Sequence, residues 1–107
     1  MPSRSFFRIV LSDPPTRMDF RSARSLGRSL PVANDARFAT GVSVYATENQ
    51  ARRKARAFPP LGAFIAEIQI AEDAHVQFER TLSSPGHHTV WAEPASLLAL
   101  VVRVMRV

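Results

Sequence analysis

The sequence contains no cysteine, which excludes disulfide bonds, zinc–thiolate sites and cysteine nucleophiles. It has four scattered glycines, so there is no glycine-rich loop that could cradle a phosphate, and no serine-nucleophile motif is present. Long apolar runs are also missing. Residues 6–11 are too short for a secretory signal, and residues 97–107 are too short to span a bilayer and include Arg103 and Arg106. We therefore expect a cytoplasmic protein without a membrane segment.

The charge that is present is unevenly distributed. The chain of 107 residues has room for one domain and carries a net charge of +5. Residues 1–56 hold ten Arg, one Lys and four acids, which sum to +7, whereas residues 57–107 hold three Arg and five acids, which sum to −2. The basic N-terminal half can attract the phosphates of a dinucleotide or a nucleic acid, or an acidic protein partner. Alternatively, the basic half is only a solvated surface, and the excess of arginine over lysine reflects a GC-rich coding bias.

Alternating apolar residues predict five or six strands. Residues 6–11 form an apolar run that ends at a double proline, and residues 63–70 show the clearest alternation. The further predicted strands are Val42–Tyr45, 76–80, 89–91 and 98–107. Residues 83–86 are typical of a turn.

One segment has a clear helical start. Thr47 and Gln50 match a capping box, in which the threonine side chain accepts from the N3 amide and the glutamine side chain reaches back. The pattern predicts a helix over Glu48–Ala57, packed through Ala51, Ala55 and Phe58, that ends before Pro59-Pro60. Its basic residues are concentrated in the last turns, where the helix dipole favours cations.

The other helical segments are weaker. Residues 94–98 fit one helical turn, and Met18, Phe20 and Leu26 fit one face of a short helix that stops at Gly27. Residues 29–40 fit a long loop. The resulting order predicts an α+β domain with a mixed or antiparallel sheet of five to six strands, one main helix and one or two short helices.

Three polar or aromatic residues lie in the first two predicted strands without an obvious packing role. Arg8 interrupts an apolar strand, where its planar fork of donors could hold a dinucleotide phosphate or ribose. Ser43 and Tyr45 share one face of the second strand, and together they could support a nicotinamide or nucleobase by hydrogen bonding and stacking. Alternatively, these three side chains only occupy the outward-facing positions that alternation along a strand produces, and they have no binding role.

The segment around two adjacent histidines is the richest in titratable groups. His87 and His88 point to opposite faces of a strand, so they cannot jointly chelate a metal, and we expect no metal site. We assign acid–base work to His88 and cofactor contact to His87. Glu93, the nearest acid, could stabilise a cationic centre, or it could cap the turn that starts at Pro94. We expect one cleft to gather Arg8, Tyr45, one of the histidines and Glu93.

These residues are similar to the Arg–Ser–Glu layout of ADP-ribosyltransferase-like domains. The resemblance implies that the cofactor is NAD, that Arg8 binds the dinucleotide and that the strand of Ser43 supports the nicotinamide pocket. It further implies that Glu93 orients the acceptor and assists cleavage of the glycosidic bond, with ADP-ribose passing to a macromolecular acceptor or to water. The sequence departs from the family at Trp91, where arginine-specific members have a second acid. It also has Ser43-Val44-Tyr45 instead of a Ser-Thr-Ser triplet.

Two other classes remain open. A basic nucleic-acid-binding protein or small ribonuclease of the bacterial toxin type would contact phosphates through its arginines and use His87 or His88 with Glu93 as acid and base. A non-enzymatic domain would use its charge to bind an acidic protein.

Overall fold

The computed structural model describes residues 3–22, 40–72, 74, 76–81 and 86–107. They form one six-stranded antiparallel sheet with one main helix, a short helix and 3₁₀ turns, which confirms the predicted α+β class. The strands are β1 (Ser3–Val10), β2 (Val42–Tyr45), β3 (Phe64–Ala71), β4 (Gln77–Arg80), β5 (His87–Trp91) and β6 (Val101–Arg106). The helices are α1 (Glu48–Ala57) and α2 (Pro94–Ala99), and the 3₁₀ turns are Arg17–Phe20 and Pro59–Leu61. The predicted helix end at Leu26 and Gly27, loop residues 29–39 and turn residues 83–85 lie outside the described residues.

The sheet consists of two halves that meet between β1 and β2. The strand order is β4-β5-β2-β1-β3-β6. β1 pairs with β3 along its whole length, from Ser3 opposite Ala71 to Val10 opposite Phe64. By contrast, β1 and β2, both of which lie within the described ranges, are in register at one pair alone, Phe7 and Tyr45. We therefore distinguish two half-sheets, β4-β5-β2 and β1-β3-β6.

The sheet curls strongly toward one of its faces. The ring of Phe6 on β1 lies 5.0 Å from the ring of Phe78 on β4, centroid to centroid. Three strand spacings separate β1 from β4, so the two rings would lie about 14 Å apart in a flat sheet. The contact shows that the half-sheets fold toward each other over this face, which we call the core face.

The core face and its opposite carry separate apolar clusters. On the core face, α2 and the turn Arg17–Phe20 pack against the strands. The buried residues of this cluster are Phe6, Val10, Phe20, Val42, Val44, Ala66, Ile68, Ile70, Val90 and Leu97. The opposite, helix face is covered by α1 over β1, β2 and β3. Its buried residues are Ile9, Tyr45, Ala51, Ala55 and Ile65.

Several predicted boundaries and one packing role differ in the structure. β1 begins at Ser3, three residues before the predicted start, because β3 pairs with it along its whole length. β5 begins at His87, two residues before the predicted start, because β2 pairs with it from Tyr45 onward. The last predicted strand, 98–107, begins only at Val101, because α2 extends to Ala99. The predicted helix around Met18 and Phe20 is a 3₁₀ turn that ends at Phe20 within the described residues. Phe58, predicted to be buried, follows the end of α1 and is 53% exposed.

Neither helix of the described ranges has the length and apolar character that a membrane-spanning segment requires.

Candidate functional site

Arg8 crosses the gap between the half-sheets. Its side chain is on the core face and only 7% exposed. Nε donates to the backbone oxygen of Asp19 at 3.0 Å, and Nη1 donates to the backbone oxygen of Ser43 at 2.8 Å. These backbone contacts tie β2 and the turn Arg17–Phe20 to β1, so Arg8 maintains the geometry of the sheet junction.

The turn that Arg8 contacts is itself held by one buried carboxylate. Asp19 accepts from the Leu11 amide at 2.8 Å, the Ser12 hydroxyl at 2.8 Å and the Thr16 amide at 2.9 Å. Burial acts to raise the pKa of Asp19, but these hydrogen bonds and the nearby Arg8 outweigh it, so the pKa is lowered. The carboxylate is therefore ionised and holds residues 11–20 in a compact turn.

Three of the predicted cofactor residues are on the helix face. The Tyr45 and His87 rings lie 5.3 Å apart, and strand alternation places the Ser43 side chain on the same face. Burial lowers the pKa of His87 to about 4, with smaller contributions from His88, Lys54 and Arg8. His87 is thus a neutral imidazole near pH 7, packed against a tyrosine ring.

His88 points to the core face and has a defined tautomer. Its Nε2 lies 3.3 Å from Nη2 of Arg4, and its Nδ1 lies 2.9 Å from the Gly86 oxygen. A guanidinium only donates hydrogen bonds and a carbonyl only accepts them. Nε2 is therefore the accepting nitrogen and Nδ1 carries the proton, which makes His88 a support for Arg4.

Arg4 is a site residue that the sequence analysis did not identify. Its guanidinium carbon lies 4.8 Å from the Phe6 ring centroid and 5.2 Å from the Phe78 ring centroid. The two aromatic rings and His88 thus hold one end of an exposed arginine. In the sequence, Arg4 alternates with Phe6 and Arg8, which assigns it to the same face. Its aromatic partner on β4 becomes apparent only once the sheet is curled.

A half-open cavity of about 310 Å³ lies beside Arg4 on the core face. Its apolar walls include Ile70, Val76 and Phe78, and the charged groups that the described residues contribute are Arg4 and Glu72. Glu72 is exposed at the end of β3 and makes no hydrogen bond or ion pair with the rest of the described chain. The cavity is at the small end of ligand sites, which run from about 300 to 1,000 Å³. It has room for one ring system with an attached sugar.

Glu93 lies at the start of α2, as predicted, and its side chain is exposed. It occupies the N-cap position but makes no side-chain capping hydrogen bond there. α2 packs on the core face through Leu97 and contacts the turn Arg17–Phe20. Arg8 and the start of α2, where Glu93 lies, are therefore on the same side of the sheet.

The sheet separates the residues that we expected to share one cleft. Arg8, His88 and the α2 segment that begins after Glu93 belong to the core face, whereas Tyr45 and His87 belong to the helix face. The side-chain cavity described above is instead formed around Arg4 and Glu72. Within the ranges that the structure describes, no three His, Asp or Glu side chains are grouped so that they could hold a metal ion.

The chain matches no protein-family model, no curated protein and no solved structure.

Proposed function

We propose that the protein binds NAD at the Arg4–Glu72 cavity and cleaves the bond between nicotinamide and ribose, as an ADP-ribosyltransferase-like domain. One observation carries the proposal: an apolar cavity where, among the described residues, the charged groups are an aromatic-supported arginine and a carboxylate that makes no ion pair or hydrogen bond with the described chain. The proposal keeps the expectations of a cytoplasmic location and of a macromolecule or water as the acceptor.

The cavity suits the nicotinamide end of the dinucleotide. A pyridine ring with its ribose fits the volume of about 310 Å³, with the ring against the Phe78 side of the apolar wall. The rest of the dinucleotide would leave through the open side. Arg4, which is exposed, can then contact the pyrophosphate with its fork of donors. His88 acts as a positioning residue, since its Nε2 accepts from the same guanidinium.

Glu72 supplies the negative charge that this reaction needs. When the bond from the nicotinamide nitrogen to the anomeric carbon breaks, its electron pair moves to the nitrogen, and the pyridinium becomes neutral nicotinamide. The sugar is left with oxocarbenium character, which a nearby carboxylate stabilises. The acceptor oxygen then bonds to the anomeric carbon and gives its proton to the Glu72 carboxylate.

The residues singled out in the sequence take supporting roles in this proposal. Arg8 joins the half-sheets by donating to the backbone oxygens of Asp19 and Ser43. Tyr45 packs against α1, and the ring of His87 lies beside the Tyr45 ring. The catalytic role predicted for Glu93 is retained as the alternative, because its carboxylate is also exposed and makes no capping hydrogen bond.

Two glutamine variants distinguish the two carboxylates. We expect wild-type protein to melt at a higher temperature as NAD is added, since a ligand that binds only the folded state stabilises it. We expect it to release nicotinamide in a chromatographic assay. Glu72→Gln should keep the thermal shift and lose nicotinamide release by at least about a hundredfold, in line with the loss of one transition-state electrostatic contact. Glu93→Gln should keep both.

Arg4→Lys tests the binding end of the cavity. It retains the charge but loses the planar fork, so the NAD thermal shift should shrink. Arg17→Lys, at an exposed arginine that is not among the residues lining the cavity, should not change it. Loss of activity in Glu93→Gln with normal activity in Glu72→Gln would move the site to α2. The absence of both an NAD shift and nicotinamide release would overturn the proposal and favour the non-enzymatic class.

A further inference from the structure

The basic cluster near the end of α1 contains one arginine with a structural role. Nε of Arg52 lies 2.8 Å from Glu48, and its Nη1 donates to the Arg106 oxygen at 2.7 Å. This arginine holds α1 to the end of β6. Its charge is compensated by Glu48, so it adds little to the field outside the helix.

The other cations of α1 have no acidic partner among the described residues. Arg53, Lys54 and Arg56 make no ion pair with an acid in the part of the chain that the structure describes, and the two arginines are exposed. Three positive charges therefore lie within four residues on one helix end. Such a concentration attracts polyanions strongly at low salt.

An exposed aromatic ring lies beside these charges. Phe58 follows α1 directly and is 53% exposed. Nζ of Lys54 lies 4.3 Å from the centroid of its ring. The phenylalanine contributes to neither apolar cluster. We refer to Arg53, Lys54, Arg56 and Phe58 as the α1 basic surface.

We propose that the α1 basic surface binds a single-stranded nucleic acid. Cations that contact phosphates, combined with an aromatic ring on which a base can stack, are the two parts of a site that accepts single strands of any sequence. Bases in a duplex are already stacked on each other, so Phe58 can serve only an unpaired base. The surface is on the helix face, and the Arg4–Glu72 cavity is on the core face. The inference therefore goes beyond the proposed NAD chemistry and does not depend on it.

The test is fluorescence anisotropy with a labelled 15-nucleotide oligothymidylate at several salt concentrations, without NAD. Three phosphate contacts predict that the logarithm of the binding constant falls with the logarithm of salt with a slope of about −2. Phe58→Ala should weaken binding by about tenfold and leave that slope unchanged. The double variant Arg53→Gln, Arg56→Gln should instead reduce the slope to about −0.7.

Matched controls lie on the other side of the protein. Met18→Ala removes an exposed apolar side chain and Arg17→Gln an exposed cation, both at the turn on the core face, and both should bind as the wild type does. All substituted positions are exposed or follow a helix, and circular dichroism will show that each variant is folded.

Several results would overturn the inference. These are no binding of the oligonucleotide, equal affinity for a duplex of the same length, or equal losses in the Phe58 and Met18 variants. Binding to phosphatidylserine vesicles without binding to the oligonucleotide would do so as well, since the surface would then be a lipid site. Because NAD is absent from the assay, failure here leaves the proposed transferase activity untouched, and the reverse also holds.

Discussion

Nη1 of Arg8 donates to the backbone oxygen of Ser43 at 2.8 Å, at the place where β1 and β2 separate. The neighbouring strands share one register pair there, so a side chain takes over a contact that a backbone amide makes elsewhere in the sheet. Nε of the same arginine donates a hydrogen bond to the backbone oxygen of Asp19. A buried guanidinium therefore takes part in joining the half-sheets at this place.

Replacing this guanidinium should destabilise the whole domain. Arg8→Met removes the hydrogen bonds to two carbonyl oxygens, and each buried polar group that is left unsatisfied costs about 1–3 kcal/mol. We expect the free energy of unfolding to fall by about 2–4 kcal/mol in urea titrations. Arg8→Lys should recover little of this loss, because one ammonium group does not reach both oxygens in the same geometry. The exposed Arg53→Met is the control and should change stability by less than about 0.5 kcal/mol. Equal midpoints for the Arg8 and Arg53 variants would contradict the role given to Arg8.

Asp19→Asn should also destabilise the protein and should remove part of its acid sensitivity. The asparagine keeps the shape but weakens the hydrogen bonds from Leu11, Ser12 and Thr16, at a cost of about 2–3 kcal/mol at neutral pH. The pKa of Asp19 is lowered in the folded state. Its contribution is therefore complete above the unfolded pKa of 3.8 and is lost as the pH falls further. Wild type and variant should converge in stability toward pH 2, as measured by thermal unfolding. A constant difference down to pH 2 would show that ionisation of Asp19 is not responsible.

His87 should dominate the change of stability between pH 6.5 and 4. Its pKa is about 4 in the folded protein against 6.5 for the free side chain. As the pH falls through this window the unfolded state takes up a proton that the folded state does not, so the free energy of unfolding decreases, by on the order of 2–3 kcal/mol. In His87→Gln this decrease should be absent. Urea titrations of both proteins at pH 7.5 and 4.5 measure it, and identical pH slopes would rule out His87 as the source.

Gly86→Ala should disturb the start of α1 as well as the turn before β5. Gly86 has a φ of 73°, and a Cβ atom there would meet the side chain of Gln50, which completes the capping box with Thr47. We expect a loss of about 1–3 kcal/mol from backbone strain and a displaced cap. In a Gln50→Ala background the clash is gone and the glycine substitution should cost less. A double-mutant cycle measures this coupling, and strictly additive losses would show that the two residues do not interact.

Local chemistry explains why much of the fold could be predicted. The Thr47–Gln50 capping box and the bounds of α1 depend on neighbouring residues, and both are confirmed. Alternation was sufficient for β3, since one of its faces is buried. The run after Pro94 was predicted as a helical turn over 94–98 followed by a strand over 98–107, and the structure has this order in α2 and β6. The boundary between them was harder to place, because an apolar run fits a helix or a strand.

The site was harder to predict because it depends on contacts across the sheet. Phe58 fits the helical spacing of Ala51 and Ala55, but α1 ends before it, so its ring faces solvent. Arg4 acquires its aromatic support only because the sheet curls and brings β4 over β1. Curvature of this kind results from the packing of the whole chain, and strand periodicity does not report it.

The order of the strands has a consequence for how the protein can be divided. One half-sheet contains β1, β3 and β6, and the other contains β2, β4 and β5. Among these strands the chain passes from one half-sheet to the other between β1 and β2, β2 and β3, β3 and β4, and β5 and β6. No continuous fragment of the polypeptide consists of one complete half alone. If the chain is cut between β2 and β3, β3 and β4, or β4 and β5, each of the two fragments lacks strands from both halves, and they could assemble only by interleaving their strands.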